Sequence, residues 1–119
     1  MALTEREFRR MALSFPGALE GSHMDHPDFR VGGKIFATLR YPSRGWAMVK
    51  LPKRAQEKII SAAPDVFSPV KGAWGRGGAT LVKLASARKT NVRAALEAAW
   101  RNTAPKHALA AAAPRRFSA

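Results

Sequence analysis

The chain has 119 residues, no cysteine and a formal net charge of +13. That length fits one domain, the missing cysteines exclude disulfides and thiolate metal sites, and no apolar run approaches the ~18 residues a membrane span needs. The charge is lopsided: after Arg30, seventeen basic side chains face only Glu57, Asp65 and Glu97. Such a surface repels itself and attracts polyanions, of which nucleic acid is the usual one.

The first predicted element is a helix. Thr4 caps it and Glu7 completes a capping box. Leu3 and Phe8 fall where a hydrophobic staple joins them, and Phe8, Met11, Ala12 and Phe15 recur at helical spacing. Pro16-Gly17 ends it. The opening MALTEREF carries charge where a signal peptide would have its apolar stretch.

From Phe29 to Leu51 the period is two. Gly32-Gly33 turns a short strand at Phe29–Val31 into a longer one at Lys34–Tyr41. Pro42-Ser-Arg-Gly45 turns that into Trp46–Leu51. Strict alternation puts Ile35, Ala37 and Leu39 on one face, with Lys34, Phe36, Thr38 and Arg40 on the other. Pro52 starts a helix that runs to about Ala63. Val66–Val70 and Ala79–Leu84 read as strands around the glycine-rich segment Lys71-Gly-Ala-Trp-Gly-Arg-Gly-Gly78. A last helix runs from Ser86 to about Asn102, with Val92, Ala95, Leu96, Ala99 and Trp100 inward.

The expected fold is therefore α+β, in the order α-β-β-β-α-β-β-α. It is a two-layer sandwich with an antiparallel five-stranded sheet, helices on one face and the other face open. The domain spans 1–103. Residues 104–119 read as a flexible tail of Ala, Pro and Arg.

The segments His23-Met-Asp-His-Pro27, Phe29-Arg-Val-Gly-Gly-Lys-Ile-Phe-Ala37 and Val70-Lys-Gly-Ala-Trp74 resemble the MmcQ/YjbR family. The resemblance covers residues 3–103. It implies a fold like that of CyaY/frataxin or secretion chaperones, the double-wing label and a DNA-binding role. It brings no catalytic residue.

Three surfaces are candidates for a polyanion. In the glycine-rich wing, Lys71 and Arg76 are read as phosphate contacts, because Arg pairs with phosphate in a bidentate way. Trp74 there either stacks on a base or folds back to cap the core. In the second wing, Arg44 stands at the turn tip. On the open sheet face, Lys34, Arg40 and Lys50 stand among Phe36, Trp46 and Met48, as on a single-strand platform. Lysine stems covering apolar surface explain the same pattern, and a bulge would shift the strand phase.

His23, Asp25, His26 and Asp28 are metal-ligand types, yet a turn entering a strand explains them. No metal or cofactor is expected. No Gly-x-Ser-x-Gly elbow or acid–base set is present, so an enzyme is not expected. The leading reading is a cytoplasmic, monomeric DNA-binding protein, with DNA favoured over RNA and no membrane partner. The alternative is a chaperone-like adaptor that takes an acidic protein partner on Phe36, Trp46 and Met48.

Overall fold

The computed structural model describes residues 3–112. Helix α1 spans Glu5–Leu13, and its N-terminus is the expected capping box. Thr4 Oγ1 accepts from the Glu7 backbone N–H at 3.0 Å, and Glu7 Oε1 accepts from that of Thr4 at 3.0 Å. Phe8, Met11 and Ala12 are its buried stripe.

The strands are β1 Leu19–His23, β2 His26–Val31, β3 Lys34–Leu39, β4 Trp46–Lys50, β5 Phe67–Pro69 and β6 Ala79–Lys83. The helices after α1 are α2 Lys53–Ala62, α3 Ala73–Arg76, α4 Lys89–Thr103 and α5 Lys106–Ala112. One antiparallel sheet has the order β1-β2-β3-β4-β6-β5. The α+β class and the antiparallel sheet are as expected. The strand count is six, not five.

The additional strand is β1. The segment read as a turn entering a strand is a hairpin, with His23 opposite His26 and Gly21 opposite Asp28. Met24 and Asp25 form its turn with φ of 48° and 66°. This hairpin escaped the sequence reading because its turn uses two left-handed non-glycine residues.

Helices α1 and α4 pack on the middle of the sheet, and α2 packs beside β5. Phe8, Phe29, Leu39, Val49, Val82, Leu96 and Trp100 lie in the core between the layers. Trp100 stacks on the half-buried Phe15 and donates its Nε1–H to the Pro16 carbonyl at 3.0 Å.

The strand phase differs from strict alternation. The β2–β3 register slips between Phe29 and Arg30: Phe29 faces Ala37, but Arg30 faces Ile35. The extra residue is a β-bulge. It turns Phe36 into the core, fully buried, and leaves half-buried Ile35 beyond it. Met48 is also buried, outside that core.

The segment expected as a loose tail is helical over Lys106–Ala112, and Ala108 joins the core. Arg115 and Arg116 lie outside the described residues.

Candidate functional site

The glycine-rich segment does not project as an extended wing. Ala73–Arg76 winds into the single turn α3, and buried Gln56 holds it down. The Gln56 Nε2 donates to the carbonyls of Gly75 at 2.9 Å and Ala79 at 3.2 Å. A Cβ at Gly75 would run into the Val70 carbonyl, and one at Gly78 into that of Leu51. Glycine is therefore used for close packing against the molecule's own backbone, and that packing folds the wing back.

The two presumptive wings also lie apart. Ala79 pairs with Lys50, whereas Trp46 pairs with Lys83. The turn carrying Arg44 precedes Trp46, and the segment carrying Lys71, Trp74 and Arg76 precedes Ala79. They sit at opposite ends of β4, separated by roughly 14 Å of strand.

The sheet face away from α4 is not an open apolar platform. Tyr41 and Trp74 meet edge to face, with ring centres 5.5 Å apart. Thr38 and Met48, opposite each other on β3 and β4, are buried. Trp74 keeps 43% exposure. Lys50 Nζ lies 5.8 Å from its ring centre.

Lys50 also lines a cleft of about 390 Å³ with Arg30, Gly33, Lys34, Ile35, Asn102 and Thr103. Three of these are cations and none is an acid. The bulge makes this arrangement, because it sets Ile35 opposite Arg30. The Asn102 amide ties α4 to the end of β4 by donating to the Lys50 carbonyl at 3.2 Å.

Of the expected site residues, Lys34 and Lys50 meet in this cleft, and Lys50 joins it to Trp74. Lys71 and Arg76 flank Trp74 on the same segment and are exposed. Arg44 is exposed at the far end. Arg40, expected on the open face, does not lie there: β3 ends at Leu39 and the chain turns at Arg40 with φ of 58°. Its Nε donates to Glu5 Oε1 at 3.1 Å.

The model of the YjbR family matches residues 13–102. The chain belongs to the YjbR family. This YjbR protein is similar in structure to a Deinococcus radiodurans protein with a DUF419 domain. The two share 17% identity over 83% of this chain and 77% of that one, with a TM-score of 0.67. At that identity the likeness speaks for the fold alone. No curated protein matches the sequence.

Arg30 was missed as a site residue in this YjbR chain, and so was its partner. Asp28 is fully buried. Its Oδ1 accepts from Arg30 Nε at 2.7 Å and its Oδ2 from Arg30 Nη2 at 3.0 Å. His23 Nδ1 lies 2.7 Å from the same Oδ2. An ionised carboxylate only accepts, so that Nδ1 carries the proton. The Arg30 hydrogen bonds hold the Asp28 carboxyl below its usual range. Burial opposes them and His23 assists them. Gly21 leaves room for the pair, since a Cβ there would stand 3.0 Å from Asp28 Oδ1 and 3.1 Å from Arg30 Nε. The i,i+2 spacing of Asp28 and Arg30 on one strand was the available signal.

The charge asymmetry is partly cancelled in space. Glu5 pairs with Arg40 and Glu7 with Lys89, so two early acids neutralise two later cations. Among the described residues Lys34, Arg44, Lys50, Lys71 and Arg76 have no ion pair.

Proposed function

We propose that this protein binds nucleic acid, DNA foremost, by contacting phosphates with the cations at the Lys50 end of the sheet. The observation that carries the reading is the cleft in which Lys34 and Lys50, without an ion pair, stand beside Arg30, itself held by Asp28, next to an exposed Trp74. Lys34 and Lys50 make no ion pair among the described residues, so an incoming phosphate would not have to displace a carboxylate. Lys71 and Arg76 extend the same positive end. In this reading the protein binds without catalysing, and a cytoplasmic home goes with it. Among the described residues no helix is long and apolar enough to cross a membrane.

The adaptor reading has lost its surface. It required Phe36, Trp46 and Met48 to face a peptide, yet Phe36 is 0% and Met48 1% exposed.

The test is an anisotropy titration of labelled random-sequence duplex DNA at several salt concentrations. Lys34→Ala and Lys50→Ala should each flatten the plot of log affinity against log salt by ~1 unit, because one fewer counterion is released. Arg44→Ala, at the other end, should leave the slope nearer that of wild type. No binding of either duplex or single-stranded DNA at low salt would reject the reading. Slopes that respond to Arg44 and not to the lysines would move the interface to the other end.

A further inference from the structure

Lys50 belongs at once to the cationic cleft and to the Trp74 ring, and a half-exposed indole beside a cationic cleft suits one nucleotide. Resting on the nucleic-acid reading above, we infer that Trp74, Lys50, Lys34 and Arg30 form a seat for one unpaired nucleotide, which makes single-stranded nucleic acid the preferred partner. The base lies on the indole, and its phosphate lies in the cleft.

Three observations support the seat. Trp74 is 43% exposed, whereas Trp100 is 1% exposed. A large apolar ring left in water beside unpaired cations suits a flat, anionic partner. Lys50 Nζ lies over the indole, 5.8 Å from the ring centre, and this cation–π contact keeps a positive charge beside the ring. The same side chain lines the cleft.

The ring is also held before any ligand arrives. Gln56 fastens the segment at Gly75 and Ala79. Its own Oε1 accepts from Lys53 Nζ at 3.1 Å. Tyr41 stands against the indole at 83° and sets its tilt. A pre-set ring loses little freedom on binding.

A duplex cannot use this seat fully. Its bases are stacked on one another, so only its phosphates would reach the cleft. An unpaired strand offers both a base face and a phosphate.

The experiment compares three labelled ligands of equal length at one salt concentration: oligo-dT, an abasic strand of the same backbone, and a duplex. Full-length wild type, Trp74→Ala and Trp74→Phe are titrated with each. Wild type should bind oligo-dT about tenfold more tightly than the abasic strand. Trp74→Ala should lose that factor on oligo-dT and change little on the abasic strand or duplex. Trp74→Phe should keep most of it. Tryptophan fluorescence should be quenched by oligo-dT in wild type and much less in Trp74→Phe.

Equal affinity of wild type for oligo-dT and the abasic strand would overturn the seat while leaving phosphate binding standing. Tighter binding of duplex than of oligo-dT would do the same. No binding of any ligand would overturn both readings. Circular dichroism shows whether each variant is folded, and Trp74→Phe keeps the test open if Trp74→Ala is not.

Discussion

Asp28 lies wholly buried between Arg30 and His23, and its ionisation is coupled to folding. In the fold the Arg30 hydrogen bonds, first of all, hold its carboxyl below the ordinary carboxylate range. A depressed carboxylate contributes stability above its unfolded pKa and loses it as pH falls through the folded one. Asp28→Asn should therefore cost about 1–3 kcal/mol at neutral pH, the usual penalty for a lost charge-assisted bond and an unsatisfied buried group. The difference between variant and wild type should shrink as pH drops below about 4. Urea melts at several pH values check this. A gap that stays constant down to pH 2 would show that Asp28 is not the group being titrated. Arg30 and His23 are both partly exposed and regain water when the carboxylate goes, which keeps the cost below that of a fully buried pair.

At the scale of elements, legibility followed locality. Helix α1 was readable because its signals, Thr4, Glu7 and the Phe8–Met11–Ala12 stripe, all lie within one short window. The phase of β3 was not readable. The bulge comes from pairing with β2, and a slip of one residue exchanges Phe36 for Ile35 on the core side. The glycine-rich segment was misread for a similar reason. Its glycines look equally free in sequence, but Gln56, nineteen positions away from Gly75, decides that the segment folds back.

Helix α5 was hidden by its alanine-rich composition, which shows no apolar stripe. It is seated by Pro105, whose Cδ would stand only 2.9 Å from a Cβ on Gly32, and by Ala108. Truncation after Ala104 should remove about 1–2 kcal/mol of apolar burial. Calorimetry should show a fall in melting temperature of roughly 5–10 °C. An unchanged melting temperature would mean that α5 rests on the surface without contributing.

Across the whole molecule, a net charge of +13 sets the electrostatics of folding as well as of binding. The Arg9–Glu20, Arg40–Glu5, Lys89–Glu7 and Arg101–Glu97 pairs are all partly exposed. Exposed pairs of this kind contribute ~0–1 kcal/mol each. With so few acids, repulsion among the many unpaired cations is expected to outweigh them. Raising salt from low ionic strength to ~0.15 M shortens the reach of that repulsion to about 8 Å. The melting temperature should rise over that range in a salt without specific anion binding. A fall would show that the ion pairs dominate and that the positive surface is better compensated than its composition suggests.

The amino-acid sequence alone determined whatever depends on neighbours along the chain or on totals: the capped first helix, the existence of five of the six strands, the α+β class, the family and the basic balance. It also marked Lys34, Lys50 and Trp74, because cations and an indole stand out by type. Only the tertiary structure decided that Lys50 adjoins both Lys34 and Trp74, that Arg30 lines the same cleft as the lysines, that Arg40 leaves to pair with Glu5, and that the two basic turns lie at opposite ends of β4. The reason is physical. Caps and periodicity are short-range effects, carried by hydrogen bonds and side-chain spacing within one element. A site is made by register, by a bulge and by a buried amide reaching across the fold, and those are fixed only when the sheet pairs and the core closes.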